Sequence, residues 1–169
     1  MFDQGIIRVG VRYGVLCGMA CFVILIIQWL LGYNPLGDAG RISFLPIPVF
    51  IFLGIKYFRQ FNDTELGFLK GLRVGLSVSF YTALTASMLL FILLYFAGGE
   101  MIADYVATMK QLLEAEKELQ IKTFGKKMYE QSYAALENMT PSLLATYDFV
   151  ARLFAGLIFS VVAAVFFRK

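Results

Sequence analysis

Four long stretches without a charged residue decide what this 169-residue chain can fold into. They cover residues 13–37, 42–55, 74–99 and 153–167. A bilayer core roughly 30 Å thick is crossed by about 20 helical residues, so the first and third stretches are long enough alone. The second and fourth span the membrane if Lys56 or Arg152 lies at membrane depth and its charged head extends to the interface. The pattern predicts an all-α integral membrane protein with four transmembrane helices.

The breaks between these stretches divide a single membrane domain into parts. Residues 1–99 are predicted to hold three transmembrane helices, at about 11–31, 44–58 and 69–96, and residues 140–169 to hold the fourth. Pro46 and Pro48 fall in the first turn of the second helix, where a missing N–H costs little. Thr140 and Pro141 have the residue order of an N-cap and a first helical position. Residues 100–139 remain as the one sizeable segment outside the membrane.

Composition agrees with a membrane protein and argues against catalysis. The chain is 59% hydrophobic and 16% charged, whereas soluble domains carry about 25% charged residues. It contains no histidine, which removes Ser-His and Cys-His nucleophiles and histidine metal sites. Cys17 and Cys21 lie one turn apart inside the first span, and we expect both to be reduced. We therefore expect no enzyme activity, with no catalytic, cofactor-binding or metal-binding residues, and no nucleic-acid partner.

The basic residues are distributed unevenly between the two sides of the predicted membrane. The loop at residues 33–41 contains only Arg41, whereas the termini and the loop between spans two and three, which share the other side, are rich in lysine and arginine. The basic residues of that side are Arg8, Arg12, Lys56, Arg59, Lys70, Arg73, Arg168 and Lys169. Because cytoplasmic loops carry the excess of basic residues, this asymmetry predicts that both termini are cytoplasmic and that residues 100–139 are extracytoplasmic.

Small residues recur every fourth position along the predicted third span. They are Gly67, Gly71, Gly75, Ser79 and Ala83, and the first span has a shorter series at Gly10, Gly14 and Gly18. Small residues at this spacing let helix backbones approach closely in a membrane. The two series predict that spans one and three pack against each other near their cytoplasmic ends. A homodimer formed through one of the series is the alternative.

Residues 100–139 have the periodicity of amphipathic helices. Apolar residues follow helical spacing from Ile102 to Leu119, with Glu116 as the one mismatch, and the spacing shifts near Gly125. The segment is predicted to form two amphipathic helices or one kinked helix. It could lie on the bilayer surface, pack on its own spans or bind a partner, and the pattern does not choose among the three.

Asp148 and Arg152 are the most distinctive polar residues near a span. They are four residues apart in the fourth helix, a spacing that lets an acid and a base pair and neutralise each other. We interpret them as an intramembrane ion pair near the outer interface that satisfies itself. A contact for an ion or a substrate is the alternative interpretation, because ionisable residues within membranes often mark functional sites.

Two motifs resemble a known family. The stretch KYFR at residues 56–59, a short polar turn and GFLKGLRVG at residues 67–75 resemble the central signature of domain of unknown function family 4199. AGLIFS at residues 155–160, running to a basic end, is also similar. The resemblance implies a small four-span protein of the Bacteroidetes inner membrane with a long loop before the last span. It implies no activity and no site residues.

Two functions are compatible with these features. The first is an accessory or assembly subunit that lies in the bacterial inner membrane and contacts a membrane-protein partner, or another copy of itself, through residues 100–139. The second is a subunit of a small homo-oligomeric transporter or channel built around polar faces of spans three and four.

Overall fold

The structure is a computed structural model that describes residues 4–61 and 66–168. Its helices are α1 (Gln4–Leu30), a 3-10 helix (Asp38–Phe44), α2 (Pro46–Phe61), α3 (Phe68–Ala97), α4 (Gly99–Ala115), α5 (Lys117–Phe124), α6 (Lys126–Glu137) and α7 (Pro141–Phe167). Four helical stretches of the described chain are long and apolar enough to cross a membrane: α1, the 3-10 helix together with α2, α3, and α7. The predicted all-α membrane fold with four spanning helices is confirmed.

Local chemistry explains where α7 begins. α7 starts at Pro141, and the hydroxyl of Thr140 accepts a hydrogen bond from the backbone N–H of Leu143 at 3.3 Å. α1 begins at Gln4 rather than near residue 11, so it carries Arg8 and Arg12 on its first turns. The helix thus continues beyond the charge-free stretch, which is compatible with a membrane span because long basic side chains can extend to the interface.

The second span is a broken helix, which the sequence prediction of a single helix at 44–58 did not contain. A 3-10 helix occupies Asp38–Phe44, Leu45 links it to the next helix with helical backbone angles (φ −55°, ψ −35°), and α2 runs from Pro46 to Phe61. Neither Pro46 nor Pro48 has an N–H to donate, so the α-helical bonding pattern cannot continue backwards through them. A tighter helix precedes them instead.

Helix α3 lies at the centre of the bundle and packs chiefly on α1 and α7. Gly10, Gly14 and Gly18 of α1 lie against residues 77–85 of α3, in the same order along both helices. α1 and α3 are therefore parallel. Gly71 lies beside Ala164 of α7 and Gly75 beside Ser160, so α7 runs antiparallel to α3.

Residues 99–137 form three helices, which together we call the arm. Only Met101, in the first turn of α4, is fully buried, and α5 and α6 bury no residue. The arm bends at Glu116 and at Gly125, where the backbone has φ of 87°, a conformation that favours glycine. The prediction of two helices or one kinked helix is wrong by one break, at Glu116, the residue that interrupts the apolar periodicity.

Candidate functional site

Arg152 is the most deeply buried charged residue among those the structure describes. Its side chain is 1% exposed, and its Nε donates a hydrogen bond to Asp148 Oδ2 at 2.7 Å. Nη1 and Nη2 donate to the carbonyl and hydroxyl oxygens of Ser43 at 3.3 and 3.0 Å. The guanidinium carbon also lies 4.5 Å from the ring centroid of Phe44. A buried cation needs this many partners because removing it from water is costly.

The predicted pairing of Asp148 with Arg152 is present. Arg152 also contacts Ser43 and Phe44, which sequence reasoning did not identify, so the ion pair is not self-sufficient. The position of the pair near the outer interface of the membrane stays a prediction.

The break before α2 supplies the backbone partner of Arg152. In a regular helix the carbonyl of Ser43 would accept a hydrogen bond within its own segment, whereas here it faces the guanidinium. The Ser43 hydroxyl donates to the carbonyl of Gly40 at 2.7 Å and accepts from Arg152. The guanidinium thus satisfies a backbone acceptor that this irregular segment buries inside the protein.

Two amide side chains hold the connection from α1 to the 3-10 helix in place. The buried Gln28 donates from Nε2 to the carbonyl of Ala39 at 2.7 Å, and its Oε1 has no hydrogen-bond partner among the described residues. Asn34 donates from Nδ2 to the carbonyl of Met101 at 3.0 Å. The 3-10 helix is thus attached to α1 by Gln28 and to α7 by Arg152, and the preceding loop is attached to the arm by Asn34.

A cavity of about 350 Å³ lies beside Arg152 at the end of the bundle that carries the arm. The 3-10 helix and α7 supply its charged residues, and α1, α3 and α4 complete the wall. Its principal lining side chains are Leu25, Asp38, Arg41, Ser43, Phe44, Leu90, Tyr105, Met109, Tyr147, Asp148 and Arg152. Asp38 and Arg41 form a second ion pair at 2.9 Å, and each is 85% exposed. The cavity therefore has one ion pair in the protein interior and one at the surface.

The small residues of α3 face α7, whereas the glycines of α1 contact another face of α3. Gly71, Gly75 and Ser79 face Ala164, Ser160 and Gly156 of α7, and the Ser79 and Ser160 hydroxyl oxygens are 3.1 Å apart. Spans one and three do pack against each other, because the glycines of α1 lie against residues 77–85 of α3. They contact a different face of α3 from the one that carries Gly71, Gly75 and Ser79, so the two series of small residues do not touch each other. Ala83 is fully buried, whereas a Cβ on Gly67 would meet no described atom. The spacing of four in Gly156, Ser160 and Ala164 was the available signal for α7.

The arm is held together by polar contacts between α4 and α6. Lys110 Nζ lies 3.0 Å from Glu137 Oε1 and 4.8 Å from the ring centroid of Tyr133. The Tyr133 hydroxyl donates to Glu114 at 3.3 Å. The hydrogen bond to Glu137 raises the pKa of Lys110. Because this pKa is higher in the folded protein, the bond between Lys110 and Glu137 contributes to folding stability at pH values below the ordinary lysine pKa. That contribution is lost as the pH rises through the raised pKa.

Comparison with known proteins gives one match. A family model described as "Protein of unknown function (DUF4199)" matches residues 12–169. No curated protein and no solved structure matches the chain.

Proposed function

The chain belongs to the DUF4199 family, whose function is unknown, and from this premise we propose that it is an accessory or assembly subunit that binds another membrane protein through its arm. Membership of the family indicates no activity, so the proposal is argued from the exposed surfaces of the protein. The protein lies in a bacterial inner membrane with both termini in the cytoplasm and the arm outside. The distribution of lysine and arginine between the loops supports this orientation.

The exposed apolar residues of the arm carry the proposal. Leu112, Leu119, Phe124 and Met128 are each at least 50% exposed. Outside the bilayer such side chains face water unless something covers them, and exposed apolar patches mark interaction sites. Helices α4 and α6 separate apolar from polar residues onto opposite faces, which is the arrangement of helices that dock by one face.

Binding rather than catalysis also fits the charged residues of the cavity. Asp38 and Asp148 each form an ion pair with an arginine, so neither carboxylate is free to act as a general base. We therefore propose that the protein is not an enzyme.

Site-specific photo-crosslinking tests the arm directly. A benzophenone amino acid at Phe124 should give one discrete adduct with a second membrane protein, which mass spectrometry identifies. The same group at Lys122, two residues away on the same short helix, should give little of that adduct. Phe124→Glu should then remove co-purification of the identified protein, and Lys122→Glu should leave it unchanged. Adducts with lipid alone at both positions would contradict the proposal, because they would place the arm on the bilayer surface.

A second candidate is a subunit of a small homo-oligomeric transporter or channel. The observation that favours it is the broken helix beside a buried arginine, since discontinuous transmembrane helices form the binding sites of many transporters. This function requires a closed homo-oligomer in nanodiscs and solute flux in reconstituted vesicles. A monomer that does not conduct would exclude it and leave the accessory role in place.

A further inference from the structure

The charges of the cavity come in two pairs of opposite sign. Arg152 and Asp148 are buried, at 1% and 14% exposure, and Arg41 and Asp38 are exposed. All four side chains line the same space of about 350 Å³. The cavity thus offers guanidinium donors and carboxylate acceptors to a single occupant, and its net charge is zero.

Asp148 is the member of the buried pair that can still bond to an occupant. Each of the three guanidinium nitrogens of Arg152 donates to a protein atom, and the side chain is 1% exposed. Asp148 accepts a hydrogen bond at Oδ2, no described residue donates to its Oδ1, and its side chain is 14% exposed. Asp148 therefore presents a carboxylate oxygen to the cavity, and the exposed Arg41 presents guanidinium N–H groups.

The mixture of signs selects against ions of one charge. An anion attracted to Arg152 or Arg41 would also approach the carboxylates of Asp148 and Asp38, and a cation would meet the opposite conflict. A molecule with an acidic group and an ammonium group can face both kinds of side chain at once. We propose that this cavity binds a small zwitterion with those two groups, a role that goes beyond the arm's proposed binding of a protein.

Two sources share this chemistry. A free amino acid carries a carboxylate and an ammonium group, and the head of phosphatidylethanolamine carries a phosphate and an ammonium group. The volume of about 350 Å³ accommodates either one, and it lies within the range of about 300–1,000 Å³ for small-molecule sites.

Thermal stability of the purified full chain in a maltoside detergent provides the test. L-Alanine and glycerophosphoethanolamine are the zwitterionic probes, and acetate and methylammonium are the single-charge probes at the same millimolar concentrations. At least one zwitterion should raise the melting temperature in a saturable way, and neither single-charge ion should. Stabilisation by L-alanine identifies a free solute, and stabilisation by glycerophosphoethanolamine alone identifies a lipid head. The proposal is overturned if neither zwitterion stabilises the protein or if acetate or methylammonium does so equally well.

Variants at the exposed pair separate binding from folding. Arg41→Gln and Asp38→Asn should each weaken the affinity for the stabilising zwitterion about threefold to fivefold, without changing the melting temperature of the free protein. Asp148→Asn should weaken it about tenfold or more, because a buried charge is less screened. Lys126→Gln, which breaks an exposed pair with Glu130 on α6, is the matched control and should bind like the wild type. Unchanged affinity in both Arg41→Gln and Asp38→Asn would overturn the proposal.

Discussion

At the scale of single residues, Arg152 depends on partners that come from distant parts of the chain. Asp148 is one turn away on the same helix, whereas Ser43 is separated from Arg152 by 109 residues. Asp148 is 14% exposed and borders the cavity, whereas Arg152 is almost completely enclosed. Removing Asp148 leaves an enclosed positive charge, whereas removing Arg152 leaves a negative charge that borders the cavity. The two substitutions should therefore lower the stability of the protein by different amounts.

Removing one member of the pair should be worse than removing both. Asp148→Ala leaves an enclosed cation without its counter-ion and should destabilise the protein by about 3–5 kcal/mol. Arg152→Met leaves a carboxylate beside a cavity that water can enter and should cost less. The double variant has no charge to desolvate and should be more stable than Asp148→Ala. Thermal stability of the three variants in one detergent measures this coupling, and strictly additive losses would show that the two side chains do not interact.

The spacing of Asp148 and Arg152 predicts their pairing, but no local pattern predicts Ser43. Helical geometry alone brings residues i and i+4 together, so the pair can be read from the sequence. Ser43 reaches Arg152 only because the chain breaks before Pro46 and the 3-10 helix folds against α7. That approach depends on how four helices pack, and helical periodicity carries no information about it.

At the scale of secondary structure elements, α3 packs on two helices through two different faces. One face carries small residues and contacts α7, and the other face contacts the glycines of α1. A Cβ on Gly75 would stand 2.8 Å from Cβ of Ser160, and a Cβ on Gly14 would stand 2.5 Å from Cβ of Tyr81. The series along α3 predicts close packing, and close packing is observed. It does not predict the partner, because a smooth groove accepts any helix with complementary small residues.

A substitution at Gly75 should break the contact between α3 and α7. Gly75→Leu places a branched side chain where the two backbones nearly touch and should cost about 3 kcal/mol or more in thermal stability. Ala97→Leu, at an exposed end of the same helix, should change stability by about 0.5 kcal/mol at most.

Exchange of the two facing residues identifies the partner helix. Gly75→Ser should be destabilising alone, and adding Ser160→Gly should recover most of the loss because it frees the space that the new side chain needs. No recovery in the double variant would show that Gly75 packs on something other than α7.

At the scale of the whole molecule, the orientation in the membrane can be checked with single cysteines. Gln60 and Glu118 are exposed and lie at opposite ends of the bundle. In a Cys17→Ala, Cys21→Ala background, Glu118→Cys should react with an impermeant maleimide on intact cells, and Gln60→Cys only after the membrane is opened. Labelling of both positions on intact cells would contradict the four-span topology.

The span count could be predicted from hydropathy because lipid requires long apolar helices. The break in the second span could not be predicted in this way, because hydropathy does not distinguish a segment that forms a 3-10 helix from one that forms an α-helix.

The contact between α3 and α7 also has a consequence for biosynthesis. Residues 98–140 are translated between these two helices, which takes several seconds at about 5–20 residues per second. During that time Gly71, Gly75 and Ser79 have no partner helix, and Ser43 waits for the guanidinium of Arg152. The nascent chain therefore passes through a three-helix stage with an open groove along α3. Until α7 covers it, this groove is accessible to any insertion factor or protease that acts on the nascent protein in the membrane.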